Sequence, residues 1–274
     1  MNVKHLAAKI FTPGLKRFSN LHKGKTCYIF GDGPSIKWFN LSEFSNHPAI
    51  CCGQIPFHKD FHKLDVKYIL ITEPWLFVPK LFQPNITYLH QLVHIANEYK
   101  NLIVSTPEKE FFVSLSNRFA LTGKNIHYVY RGLPQIRNKT DALLGNFDLF
   151  GGSFHAALSL AYYMGFKKAY LIGFDGWTIQ PARALRWYEL GPGEFFEPTN
   201  FALDFLRALR PEIDIYTISK DGESCNVKNI SYESFTGKAP KYSENHELLT
   251  NRHLNILATF PEYKIFSNKI VETK

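Results

Sequence analysis

Short apolar runs broken by polar or glycine-bearing turns recur along the chain. TCYIF at 26–30, PAICC at 48–52, VKYILIT at 66–72, NLIVS at 101–105, NIHYVY at 125–130, AYLI at 169–172 and IDIYTIS at 213–219 are rich in β-branched and aromatic residues. Runs of this length bounded by turn residues predict buried strands. Between them the spacing turns helical. A helix is predicted over 90–99, an amphipathic segment over 108–121 closing at Gly123, a small-residue apolar helix over 156–164 and another helix over 199–209. Strand–helix alternation of this kind predicts an α/β fold built on a doubly wound, mostly parallel sheet.

The pattern also divides the chain. Residues 1–25 read as a basic leading helix and linker, with Lys4, Lys9, Lys16 and Arg17 beside Leu6, Ile10 and Leu15, a helix packed on the domain or, as the alternative, resting on a membrane surface. Residues 26–220 carry the strand–helix repeat. Within them, 178–198 holds Pro181, Gly191, Pro192 and Gly193 together with Arg183, Arg186, Trp187, Tyr188 and Glu194, which suggests an active-site lid. Residues 221–274 form a small, polar C-terminal extension.

Composition narrows the class. With 274 residues, 45% apolar and 15% aromatic, the chain can bury a sizeable core and is not a disordered one. No apolar run approaches the ~20 residues needed to span a bilayer, and residues 1–11 lack the apolar core of a signal peptide. Cys27, Cys51, Cys52 and Cys225 have neither metal-ligand nor disulfide-framework spacing; a cytoplasmic protein is expected. The net charge of +8 favours an acidic partner. No nucleic-acid motif accompanies it, so a phosphate-bearing small molecule is expected, with peripheral contact at an anionic membrane surface also open to the basic leading segment.

Candidate chemistry gathers at strand exits, where ligands bind in open α/β sheets. The first strand runs into Gly31-Asp32-Gly33-Pro34-Ser35, a glycine turn whose amides can cradle a phosphate or ribose. It lacks the third glycine of a dinucleotide fingerprint and the Lys-Ser/Thr of a P-loop. Later strands exit at Gly53-Gln54 and Glu73-Pro74. The stretch 151–177, GGSFHAALSLAYYMGFKKAYLIGFDGW, reads as turn, helix, tight connection and buried strand. In it Gly151 and Gly152 free the backbone, Ser153 is a good N-cap, Gly165 suits a left-handed C-cap, and Phe174-Asp175 leave the strand.

These two units, GDGPS after the opening strand and GGSFHAALSLAYYMGFKKAYLIGFD, resemble a bacterial superfamily. It includes the Rossmann-like sialyltransferases that use CMP-sialic acid, the motility-associated flagellin nonulosonate transferases and the archaeal hydroxymethylpterin diphosphokinases. The resemblance spans roughly 26–219 and implies a Rossmann-like nucleotide-binding domain. By position, it implies that Gly31, Asp32, Gly33, Pro34 and Ser35 hold nucleotide phosphate and ribose. Gly53-Gln54 falls where the sialyltransferases have Asn-Gln, and Glu73-Pro74 where they have Asn-Pro, both facing the donor. Gly151, Gly152 and Ser153 fall on the cytidine-binding turn, and Phe174 and Asp175 beside the nucleotide. Trp177 falls near a tyrosine that assists departure of CMP, and Glu194 where a histidine acts as general base.

The implied activity is transfer of a sugar from a nucleotide-activated donor, a CMP-sialic acid or related CMP-nonulosonate, to a cell-surface glycan acceptor. Arg183, Arg186 or His155 would offset the developing phosphate charge, and Glu194, or His155 in its place, would deprotonate the acceptor hydroxyl. No resident cofactor is implied by this reading, and homo-oligomerisation is open. Two alternatives stand beside it. In a diphosphokinase-like enzyme Asp32, Glu73 and Asp175 would ligate Mg²⁺. A non-catalytic homologue would bind nucleotide or glycan only.

Overall fold

A computed structural model describes residues 15–78, 89–129, 152–175, 186–193, 206–207, 209–220 and 227–266. Its centre is one eight-stranded sheet: β1 (Thr26–Phe30), β2 (Ala49–Cys52), β3 (Val66–Ile71), β4 (Glu110–Ser114), β5 (Ile126–Val129), β6 (Lys168–Ile172), β7 (Asp214–Ser219) and β8 (Lys228–Ser231). The strand order is β5-β4-β3-β2-β1-β6-β7-β8, and each neighbouring pair is parallel. This is an α/β, Rossmann-like sheet. The chain builds outward from β1 in one direction and from β6 in the other. The boundary between β1 and β6 is therefore the topological switch point, and the carboxyl ends of those two strands are where open α/β sheets bind their ligands.

Parallel strands with both faces covered read as continuous apolar runs, which is why the sequence reveals most of them. Along β1, Tyr28 and Phe30 enter one core while Cys27 and Ile29 enter the other, the period-two alternation of a strand. Cys51 and Cys52 likewise face opposite cores, both as buried free thiols. One core is covered by α1 (Leu89–Ser105) and by elements of the C-terminal region; the other by α2 (Ser153–Tyr163).

Two expectations change here. The run at 101–105 is the last turn of α1, and the strand lies instead at 110–114 inside the supposed amphipathic segment. Short apolar runs carry no period that separates strand from helix. Val104 is 80% exposed, while Phe111, Phe112 and Val113 are fully buried. Sheet membership follows that burial. Ser153 is also not the N-cap of α2: Gly152 occupies that position, and no side chain caps the helix. At the other end Gly165 (φ +80°) forms the expected left-handed cap, with Gly165 N–H donating to Tyr162 and Phe166 N–H to Ala161, the bond pair of a Schellman motif.

Residues 15–25 dock against the body. Leu15 and Phe18 are buried, the Tyr163 hydroxyl donates to Leu15 O at 3.1 Å, and Arg17 pairs with Glu110 at 2.8 Å. The C-terminal region supplies β8 as an edge strand of the same sheet, followed by α3 (Tyr232–Thr236), α4 (Asn245–Leu248) and α5 (Asn251–Leu257). Among the described residues no helix is long and apolar enough to cross a membrane.

Candidate functional site

The loops leaving β1 and β6 continue the parallel pairing past the strands. Gly31 N–H donates to Ile172 O at 2.9 Å and Gly33 N–H to Gly173 O at 2.6 Å. Ser35 N–H then donates to the Asp175 carboxylate at 2.8 Å. The glycines are required by this contact. A Cβ on Gly31 would lie 2.7 Å from Gly173 O, and one on Gly33 would lie 2.2 Å from Asp175 Oδ2. Gly173 is left-handed at φ +74° with Gly31 O only 2.5 Å from the Cβ position. The glycines of GDGPS thus admit a second loop of the protein, where the sequence suggested approach of a ligand. Phe174 wedges under the junction against Phe154, ring centroids 5.4 Å apart. Pro34 opens a short 3-10 helix, Pro34–Trp38, in place of an α-helix.

Asp175 is buried, and burial pushes its carboxyl up to about 6 although the Ser35 N–H favours the charged form. Asp32, next along the first loop, is half-buried with its carboxylate turned inward. Oδ1 accepts Gln54 N–H at 2.8 Å and the Trp187 indole N–H at 3.1 Å. Burial pushes Asp32 up to about 7, and Glu73 adds to this, against the two N–H bonds and Arg186. The carboxylate occupies the space beside Gly53, whose absent Cβ would fall 1.7 Å from Oδ2.

Gln54 contributes its amide to Asp32, but its side chain is engaged elsewhere: Gln54 Oε1 and His253 Nε2 of α5 are 2.8 Å apart. Glu73 is exposed at the β3 exit, and its carbonyl accepts from the Asn117 amide at 3.0 Å. The same Asn117 receives Phe77 N–H at 2.9 Å and so clamps the exit loop. Ser153 lies across from that loop, its hydroxyl 3.0 Å from Thr72 Oγ1, and a Cβ on neighbouring Gly152 would meet nothing within 4 Å. His155 is buried at the start of α2, ring edge toward Phe154. Burial pulls its pKa down to about 4, which keeps the imidazole neutral near pH 7 and does not favour the positive charge expected of it against a phosphate.

Gly151, Trp177, Arg183 and Glu194 lie outside the described residues. The lid expected over 178–198 is described at 186–193 alone, and that part is packed into the body. Trp187, Tyr188 and Glu189 are buried. Trp187 N–H donates to Asp32 O at 3.1 Å, Lys37 reaches Gly191 O at 2.7 Å and Glu244 at 2.6 Å, and Glu189 accepts Lys264 N–H at 3.2 Å. Residues 186–193 form a strap joining the first loop to the C-terminal region. Arg186 stacks on Tyr263 at 4.8 Å. Asn117 shapes the site although nothing in the sequence singles it out, and Trp187, which the sequence places in a lid, carries no signal there for its bond to Asp32.

The site therefore brings together Gly31, Asp32, Gly33, Pro34, Ser35, Phe174 and Asp175 at the switch point, with Gly53, Gln54 and Trp187 on one flank. Among the described residues no three of His, Cys, Asp or Glu are gathered as cation ligands. Asp32 faces Gln54 and Trp187, Asp175 faces Ser35, and Glu73 stands at the surface.

No family model matches the sequence, and no curated protein matches it. Among solved structures, the chain is similar to a point mutant of the α-2,3/8-sialyltransferase CstII at 13% identity and a TM-score of 0.39, covering 82% of this chain and 95% of that one. It is similar to CstII from Campylobacter jejuni in complex with cytidine-5'-monophosphate at 14% identity and a TM-score of 0.37, covering 86% and 98%. CstII from Campylobacter jejuni with CMP-3FNeuAc gives 14% and 0.36, covering 86% and 100%.

Proposed function

We propose that the protein is a glycosyltransferase that binds a nucleotide-activated sugar, CMP-sialic acid or a related CMP-nonulosonate, and moves the sugar to a cell-surface glycan. The observation that carries this reading is the junction of the two motif halves, GDGPS and GFD, at the β1–β6 switch point. That position is where open parallel sheets hold nucleotides.

In this reading the backbone amides at the α2 start receive the nucleotide, the first loop, whose Gly31, Gly33 and Ser35 N–H groups are spent on the β6 loop, walls the site, and Arg186, which acts on Asp32, offsets phosphate charge together with Arg183. Transfer breaks the bond from the anomeric carbon to the phosphate oxygen and forms one to the acceptor oxygen. The acceptor proton passes to Glu194, and CMP leaves with the bonding pair beside Trp177. The donor is a substrate, and no resident cofactor is invoked. We place the reaction at the cytoplasmic side, where the basic leading segment meets an anionic membrane surface.

Thermal-shift measurements with CMP, CDP, UDP, GDP and ATP, each with and without Mg²⁺, test the reading. Stabilisation by CMP that is indifferent to Mg²⁺ supports it. Stabilisation by ATP with Mg²⁺ alone overturns it in favour of a diphosphokinase-like enzyme.

A further inference from the structure

An acidic residue in a phosphate-binding turn is an electrostatic problem. A like charge held close to a bound anion in a partly buried site weakens its binding by about tenfold or more. Asp32 stands in the middle of the first loop, and its carboxylate is packed against Gly53 and the Trp187 strap. The Trp187 indole and the Gln54 amide both donate to Oδ1. The fixed backbone around Gly53, held by the Tyr99 hydroxyl on Gly53 O, gives the group its berth. Gln54 N–H is shared between the two carboxylate oxygens, at 2.8 and 3.2 Å. Trp187, fully buried, grips the same residue twice, its indole N–H on Oδ1 and its backbone N–H on Asp32 O. The strap carrying Trp187 is in turn fastened by Lys37, Glu244 and Lys264.

We propose that Trp187 is a positioning residue that holds the Asp32 carboxylate out of the phosphate subsite and thereby sets the site's affinity for the nucleotide anion. The assignment rests on the nucleotide-binding reading above. Trp187 touches neither phosphate nor sugar in this role. It acts through Asp32, and it makes the C-terminal region, by way of the strap, part of the nucleotide site.

The experiment compares wild type, Trp187→Phe, Asp32→Asn and the double variant, each confirmed folded, by calorimetric titration with CMP at a pH above the range to which burial raises Asp32, where its carboxyl is ionised. Trp187→Phe removes the indole donor and keeps most of the packing. It is expected to weaken CMP binding about tenfold by freeing the carboxylate. Asp32→Asn is expected to tighten binding threefold or more, and the double variant to bind as Asp32→Asn does, because the charge that Trp187 restrains is gone. A purely structural role would leave the double variant as weak as Trp187→Phe, and that result overturns the proposal. So does a tenfold loss in Asp32→Asn alone, which would make the carboxylate a ligand contact.

A ligand-free arm separates the two readings. The Trp187 indole proton is expected to be protected from exchange and to shift in the NMR spectrum of Asp32→Asn, since a bond to a carboxylate is stronger than one to an amide. Should Trp187→Phe prove unstable, this arm together with Asp32→Asn decides the assignment. An indole signal indifferent to Asp32→Asn overturns the positioning role even if CMP binds. A wild type that binds none of the nucleotides overturns the proposed function while the indole result still shows whether Trp187 holds Asp32.

Discussion

The Cβ that Gly33 lacks would sit 2.2 Å from Oδ2 of Asp175, in the space that lets the β1 and β6 loops close on each other. The backbone of Gly33 is extended at φ −68°, so any residue could adopt its dihedrals. The requirement for glycine is steric alone. Gly33→Ala should therefore destabilise the fold by about 1–3 kcal/mol, the range for overpacking a tight contact. Urea denaturation reads the loss. Adding Asp175→Ala should recover part of it by vacating the space. A Gly33→Ala protein as stable as wild type would mean that the loops do not meet as described.

Asp175 also gives the fold a pH dependence. Its folded pKa, about 6, lies above the ordinary value of 3.8, chiefly through burial. A carboxyl raised in the folded state binds more protons there than in the unfolded chain. Its stabilising share is complete below pH ~4 and is lost as pH rises through ~6. Asp175→Asn keeps an oxygen for the Ser35 N–H without the charge. The variant should gain on the order of 1–3 kcal/mol over wild type at pH 8 and little at pH 4. Melting curves across that range check the sign; a constant difference would remove Asp175 as the source.

The parts of this molecule that follow from local physics were legible in the sequence, and the parts that follow from long-range meeting were not. β1, β2, β3, β6 and β7 are buried on both faces, so each reads as an apolar run whatever surrounds it. The 101–105 and 110–114 segments show the limit, since both are short and apolar and only tertiary burial makes one a helix end and the other a strand. The motif halves at 31–35 and 173–175 were visible as turns, but Ser35 and Asp175 are 140 residues apart. Nothing local says that one loop's glycines exist to receive the other loop. Trp187, 155 residues from Asp32, was visible only as an aromatic in a supposed lid.

Lys37 offers a test of the strap. Its side chain is wholly buried and bonds both Gly191 O and Glu244, a carboxylate 23% exposed. Burial tends to raise the Glu244 carboxyl, but Lys37, the Tyr242 hydroxyl and Gly191 N–H together hold it below the usual range. Removing one partner of a buried ion pair costs roughly 3–5 kcal/mol, and the partial exposure of Glu244 lowers this. Lys37→Met should cost about 2–3 kcal/mol, with part returned by Glu244→Gln in the same protein. Chemical denaturation of wild type and the two variants measures it. Equal losses in Lys37→Met and the double variant would show that packing of the lysine stem, and not the charge left on Glu244, is what matters.

Trp75 isolates a backbone effect at the mouth of the site. It lies in the turn leaving β3 with φ +61°, one of two non-glycine residues of positive φ among those described. Its N–H is held by Ser116 Oγ at 3.0 Å. A left-handed backbone costs a residue with a Cβ roughly 1–2 kcal/mol, and such strain persists where the surroundings enforce it. Trp75→Ala and Trp75→Gly both delete the indole, so their difference reports the backbone alone. Trp75→Gly should be the more stable by about 1 kcal/mol even after the greater chain entropy of glycine in the unfolded state is charged against it. If alanine is as stable as glycine there, the turn relaxes out of the left-handed region, and the Ser116 bond does not hold it.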